Sequence, residues 1–229
     1  MNFELLQPWS TFVMKTKLSP PILEKMMRIT DEIIENNAPE IVDVGAHHIK
    51  DQFKIGVDTL IQEEVLEFFL TSCNTFIMQA FCQSQPFNKE TILKEVFLPH
   101  LSSMWVNCQK DNEYLPVHHH TAAAVSAIMY LKIPELLPGG QSFYSNKDSD
   151  GTIIFTNNVA KDNLWGTPIL EIQPEVGDFF IYPASLDHQV NPFSSPVDGE
   201  RERRSIAFNA VFTTKGEQDF IKKQHETTI

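Results

Sequence analysis

The chain has 229 residues, 42% of them hydrophobic and 21% charged, a globular balance that can bury a core without disulfides. Its formal net charge of −12 and pI of about 5.0 argue against a nucleic-acid partner, which needs a basic face. The one local basic cluster is Arg201, Arg203 and Arg204.

Helical signals come first along the chain. Ser19 is a candidate N-cap with Pro20 at the first helical position, and Ile22, Met26, Ile29 and Ile33 recur at helical spacing up to Asn36-Asn37. A second helix is predicted from about Thr59 to Phe81, with a broad apolar surface that needs a large partner. After residue 95 the pattern turns strand-like. Runs are predicted at Ser103–Cys108, Val125–Ile133, Ser142–Tyr144, Thr152–Thr156, Ile169–Ile172, Asp178–Tyr182 and Ser205–Thr213. Breaks such as Pro138-Gly139-Gly140, Asp148-Ser149-Asp150-Gly151 and Gly166-Thr167-Pro168 separate them. The expectation is a mainly β protein, a sandwich or barrel with N-terminal helices over one face. It is one domain over 1–229, with 1–95 largely helical and 96–215 the β core. The polar stretch Val190–Arg203 reads as a lid or as variable surface.

Three cysteines, Cys73, Cys82 and Cys108, make no CxxC pair, so neither a zinc ribbon nor a disulfide framework is indicated. No stretch approaches the roughly 18 uncharged apolar residues of a membrane span, and Met1–Pro8 has no signal-peptide pattern. A cytoplasmic protein without membrane attachment is the expectation.

Chemistry concentrates in three places. In Pro116-Val-His-His-His-Thr121, strand alternation points His118 and His120 to one face and His119 to the other. Imidazole nitrogen ligates divalent iron, zinc or copper, so two such rings are half a metal site. A solvated loop would carry the same residues. His188 follows a turn at Gly177, a buried apolar run and a bend at Pro183, where a ligand and a satisfied core histidine both fit. Further on, Arg203, Ser205, Ala207 and Asn209 share one strand face. A guanidinium beside a hydroxyl suits a carboxylate, because the planar fork donates two parallel hydrogen bonds and the hydroxyl a third. A charged edge strand that resists aggregation reads the same way.

The combination is more specific than its parts. His118-x-His120, then His188, then Arg203-x-Ser205 resembles the His-x-Asp…His…Arg-x-Ser signature of Fe(II)/2-oxoglutarate oxygenases. Trp105-Val-Asn107, Ser126–Pro134, Gly139-Gly140 before a Ser-Phe-Tyr run, and Pro174–Asp178 are similar to the prolyl-hydroxylase-like branch. The bacterial and phage members with His-x-His at the first position are the nearest in pattern. The resemblance covers residues about 100 to 213. It implies a double-stranded β-helix (a cupin-like jelly-roll) with helices packed on one face. It further implies Fe(II) held at a catalytic centre of His118, His120 and His188. 2-Oxoglutarate would be the co-substrate, its distal carboxylate bound by Arg203 with Ser205, with Tyr130 donating its hydroxyl and Asn107 lining the pocket. O₂ would be consumed, 2-oxoglutarate decarboxylated to succinate, and a small-molecule or peptide substrate hydroxylated. Read alone, Tyr130 is equally a core-edge tyrosine, Asn107 a strand-end hydrogen bonder and Trp105 a core residue.

One position departs from the family pattern. The usual facial triad is two histidines and a carboxylate, and His120 stands where the carboxylate belongs. Three histidines on one iron is the expectation. A vacancy filled by water or an anion, or a carboxylate arriving from elsewhere, are the alternatives; alternation points the neighbouring Asp187 away from His188. Two other functions fit the same residues. One is a cupin-like three-His dioxygenase without 2-oxoglutarate, in which Arg203 binds the substrate's own carboxylate. The other is a non-catalytic jelly-roll binding module. A fold of this kind does not identify the substrate.

Overall fold

The computed structural model describes residues 11–40, 48–84, 90, 94, 96–137, 149–157, 168–196 and 201–218. Two antiparallel sheets face each other. The larger has the order β1-β8-β5-β10-β3-β2 and the smaller β4-β9-β6-β7. The larger sheet comprises β1 (Met14–Lys17), β2 (Gln52–Lys54), β3 (Phe97–Gln109), β5 (Val125–Lys132), β8 (Asp178–Pro183) and β10 (Arg203–Thr214). The smaller comprises β4 (Leu115–His118), β6 (Ile153–Thr156), β7 (Ile169–Ile172) and β9 (Asp187–Val190). Paired sheets with helices on one outer face make the double-stranded β-helix.

Side-chain alternation divides the large sheet into two cores. Met104, Val106, Cys108, Ala127, Met129, Phe179, Ile181, Ile206 and Phe208 point to the helices. Ile128, Tyr130, Phe180 and Tyr182 point to the small sheet, where they meet Leu115, Ile153, Phe155, Leu186 and Val190. The central strand β5 is therefore buried on both faces through Leu131. This is why its sequence is a continuous apolar run rather than an alternating one.

Helix α1 (Pro20–Asn36) begins with prolines in its first turn, where a missing N–H costs nothing. It ends as Asn37 N–H donates to Ile33 O at 3.1 Å. Met26 and Ile29 are buried on its inner face. The second predicted helix is two helices, α2 (Val57–Gln62) and α3 (Leu66–Ser84). Glu64 adopts φ 56 between them, and Val65 N–H reaches back to Leu60 O at 2.9 Å. Glu63 and Glu64 are good helix formers, so propensity hides this break. Tertiary contacts supply it: Lys25 on α1 donates to Glu63 O at 2.7 Å, and Arg28 pairs with the Glu63 carboxylate. The completely buried Val65 then anchors the turn. Among the described residues no helix is long and apolar enough to cross a membrane.

Several further differences from the expectation concern boundaries. β3 begins six residues before the predicted Ser103 and pairs with β10 along its whole length. The segment before residue 95 is helical but also contributes β1 and β2, the two edge strands of the large sheet. Within the stretch expected to be a lid or variable surface, Asn191, Pro192, Phe193 and Ser195 are buried, so residues 191–195 pack inside the fold. The predicted strand Ser142–Tyr144 and the break Pro138-Gly139-Gly140 lie outside the described residues.

Phe69 on α3 is completely buried and meets Phe208 edge-to-face at 5.5 Å, which joins the helical layer to β10. Phe69→Ala should cost about 3–5 kcal/mol, read from urea denaturation with an unchanged slope. A loss under about 1 kcal/mol would show that this junction does not hold the layers together.

Candidate metal centre

His118 and His188 face each other across the β4–β9 pair, with ring centroids 4.2 Å apart. The register achieves this with a local irregularity. Leu115 pairs with Val190 and His118 with His188, so β4 advances one residue more than β9 over the same span. The surplus falls at Pro116–Val117, where proline has no N–H to offer a ladder. This is the setting for a bulge that re-aims a side chain.

β4 ends at His118, so His120 does not reach the cavity by strand alternation, as the sequence suggested. It does so from the segment that follows, where its N–H donates to Ala184 O at 2.8 Å. Its ring lies 5.3 Å from that of His118 and 5.4 Å from that of His188. One nitrogen from each of the three lies within 4.8 Å of the others, and no carboxylate or thiol among the described residues belongs to the group. His119 turns outward, with Nδ1 2.9 Å from Asp187 Oδ1. The carboxylate nearest in sequence to His188 is therefore engaged on the far side.

The hydrogen bonds behind the rings prepare nitrogen donors. Nδ1 of His118 lies 2.7 Å from Pro116 O, and Nδ1 of His188 lies 2.8 Å from Leu186 O. A carbonyl only accepts, so each Nδ1 carries the proton and each Nε2 keeps its lone pair. Burial, reinforced by the neighbouring His118, pushes the His188 pKa down to about 3, which keeps the ring neutral. The cavity between the rings has a volume of about 20 Å³, and Trp105, Asn107, Ile128 and Tyr182 are among its walls. That is room for an ion or about one water molecule. Three imidazoles around an ion-sized, partly apolar cavity fit a divalent transition metal such as iron.

Arg203 is buried at the start of β10, a central strand of the large sheet, which removes the charged-edge-strand reading. Its Nε and Nη2 donate to Gln109 Oε1, its Nη1 to Gly151 O, and its Nη2 also to Asn191 O at 3.3 Å. The guanidinium carbon sits 5.2 Å from the Phe193 ring centroid and 5.8 Å from that of Tyr130. Every acceptor is neutral, and burial pushes the Arg203 pKa down. Ser205 pairs in register with Asn107 on β3 and Tyr130 on β5. Tyr130 is fully buried and its hydroxyl has no hydrogen-bond partner among the described residues; burial pushes its pKa up to about 12. Asn107 lines the histidine cavity and accepts from Gln52 Nε2 at 2.8 Å. The structure thus gathers His118, His120, His188 and Asn107 around one cavity. Arg203, Ser205 and Tyr130 lie farther along the same inner face, outside the cavity's walls.

Gln109, Gly151, Asn191 and Phe193, which enclose Arg203, were not foreseen. Only Gly151 carried a signal, inside the Asp148–Gly151 turn. It has φ +71, and an added Cβ would lie 3.2 Å from Arg203 Nη1.

The depressed pKa of His188 has a consequence for the metal-free protein. Above pH 6.5 the ring is neutral whether the chain is folded or unfolded. Below 6.5 the unfolded chain takes a proton that the folded protein refuses until about pH 3. Stability should therefore fall with pH across that window by about 1 kcal/mol per unit from this group. Denaturation of chelator-treated His188→Gln should show a shallower decline than wild type. An equal slope would mean that His188 is not held neutral.

Residues 103–209 match a protein-family model described as "Putative 2OG-Fe(II) oxygenase". Among solved structures, the chain is similar to the non-heme α-ketoglutarate-dependent epimerase SnoN of nogalamycin biosynthesis. There the identity is 13% and the TM-score 0.53, covering 87% of this chain and 77% of that one. AviO1 from Streptomyces viridochromogenes has 12% identity and a TM-score of 0.52, with 88% and 90% covered. A Pseudomonas putida prolyl-4-hydroxylase has 15% identity and a TM-score of 0.49, with 86% and 91% covered. No curated protein matches the sequence. The two structures above 0.5 support the double-stranded β-helix, and the segment 103–209, which carries all three histidines, matches the 2OG-Fe(II) oxygenase family model.

Proposed function

We propose that the protein is an Fe(II)- and 2-oxoglutarate-dependent dioxygenase whose metal is held by His118, His120 and His188. It hydroxylates a small-molecule or peptide substrate while 2-oxoglutarate is decarboxylated to succinate. The observation that carries this reading is the convergence of three imidazole nitrogens within 4.8 Å inside the family-matched segment. When bound, the iron and keto acid supply activation of O₂.

The chain's own residues do the rest. Pro116 O and Leu186 O hold two imidazoles with Nε2 toward the cavity. Trp105, Leu115, Ile128, Tyr182 and Val190 exclude bulk water, which protects reactive chemistry from side reactions. Arg203 and Tyr130 receive the distal carboxylate, with Ser205 and Asn107 between them and the metal. Ser205 stands two residues along β10 from Ala207, which lines the cavity, a step of roughly 7 Å. A guanidinium buried among neutral acceptors is costly, and an arriving carboxylate compensates it. The cavity of about 20 Å³ is too small for a keto acid, so binding shifts side chains along this face.

One observation favours a second reading. Among the described residues the metal group contains no carboxylate, and Arg203 already has neutral partners. A cupin-like three-His dioxygenase would need no 2-oxoglutarate, and Arg203 would then meet the substrate's own carboxylate. Succinate formed in step with O₂ uptake separates the two, since only the first produces it.

Anaerobic titration with Fe(II) and 2-oxoglutarate should develop a visible metal-to-ligand charge-transfer band. The band should be lost in His188→Ala. In Arg203→Ala, half-saturation should need about 30-fold more 2-oxoglutarate or higher, as expected for truncating a buried charged partner. A wild-type protein that binds iron but shows no keto-acid-dependent band would contradict the proposal. An unaltered titration in Arg203→Ala would remove Arg203 from it.

A further inference from the structure

Nδ1 of His118 and of His188 each meets a backbone carbonyl, which leaves Nε2 for the cavity. The third ring is backed differently. As the amide is placed, Asn209 Nδ2 lies 3.4 Å from Nδ1 of His120. Asn209 sits on β10 where the register with β3 shifts, opposite Ser103 on one side and Ser126 on the other. In that placement Oδ1 accepts from Ser126 Oγ at 2.6 Å and Nδ2 donates to Ser103 Oγ at 3.3 Å; the arrangement proposed below exchanges the two ends. Asn209 is not among the cavity's walls, so whatever it does for a bound ion passes through His120.

The two ends of an amide have nearly the same shape but opposite hydrogen-bonding roles. If nitrogen faces His120, Nδ1 must accept, the ring proton moves to Nε2, and the nitrogen facing the cavity has no lone pair to give. If oxygen faces His120, Oδ1 accepts from Nδ1–H and from the Ser103 hydroxyl, while Nδ2 donates to Ser126 Oγ. Both serine contacts survive the exchange because a hydroxyl donates or accepts. Only the second arrangement gives His120 the same protonation pattern as its two partners.

We propose that Asn209 is a positioning residue: its amide oxygen accepts from Nδ1–H of His120 and so presents Nε2 to the metal. A neutral amide fits this place better than a carboxylate would. The ligand set is neutral, and the two flanking serines accept and donate to both ends of an amide. The inference rests on His120 being a metal ligand, as in the function proposed above.

The test uses the full-length chain and Co(II) and Zn(II), without 2-oxoglutarate or turnover. Affinities come from competition with a chromophoric chelator, and the Co(II) ligand-field spectrum reports the donor set. Asn209→Ala should weaken Co(II) binding about 10- to 100-fold, the usual effect of removing a hydrogen-bond partner behind a ligand. Asn209→Asp, which restores an acceptor, should recover most of it with a wild-type-like spectrum. Equal binding by wild type and Asn209→Ala, or a loss that Asn209→Asp does not recover, would overturn the assignment. Because the alanine variant can be too unstable to assay, nitrogen-15 histidine spectra of the Zn(II)-loaded wild type give an independent reading. They should show His120 with its proton on Nδ1 and the metal on Nε2; a proton on Nε2 would overturn the proposal. His188→Ala distinguishes the levels. If it binds metal as well as wild type, the triad itself fails and this inference with it. If it weakens binding while Asn209→Ala does not, only the role of Asn209 falls.

Discussion

The pairing of His118 with His188 across β4 and β9 is the constraint on which the site depends. Two strands of the small sheet must hold that register although β4 carries one residue too many, and the bulge at Pro116–Val117 absorbs the surplus. A one-residue slip would send either ring to the outer face, where His119 and Asp187 now pair at 2.9 Å. That outward pair joins the segment after β4 to the start of β9. His120 is then fixed from a third direction by its backbone bond to Ala184, just beyond β8.

Arg203 and Arg204 show how alternation assigns opposite tasks to adjacent residues. Arg204 points to the helical side, where it pairs with Asp31 and Glu202 and reaches Thr30 Oγ1 at 3.1 Å. These neighbours raise its pKa against the cost of burial. It ties α1 to β10 and is fully compensated. Arg203 points between the sheets, meets only neutral oxygens among the described residues and lies between two aromatic rings. The same charge is thus structural on one face and poised for an anion on the other. The Tyr130 hydroxyl, which has no partner among the described residues, lies on the same inner face as Arg203.

Much of this was legible in the sequence because it follows from periodicity. The buried runs at Val125–Lys132 and Asp178–Pro183 and the α1 apolar stripe needed no tertiary information. The spacing of His118, His188 and Arg203 was also visible, through its likeness to a family signature. What escaped depends on contacts between distant residues. The break at Glu63–Val65 is imposed by Lys25 and Arg28 on good helix formers. β2 has only three residues, too few for an alternating pattern. His120 was assigned to the cavity by strand alternation, although β4 stops two residues earlier. Asn191 and Phe193 looked like loop surface because polar and proline-flanked residues usually are, but here they enclose a buried guanidinium.

The central claim is that three imidazoles share one ion. It is tested most directly by the anomalous scattering of Mn(II) in crystals grown anaerobically with the metal. The account predicts a single strong peak about 2.0–2.3 Å from Nε2 of His118, His120 and His188. A peak bonded to fewer than three of these rings, or completed by a side-chain carboxylate, would contradict it.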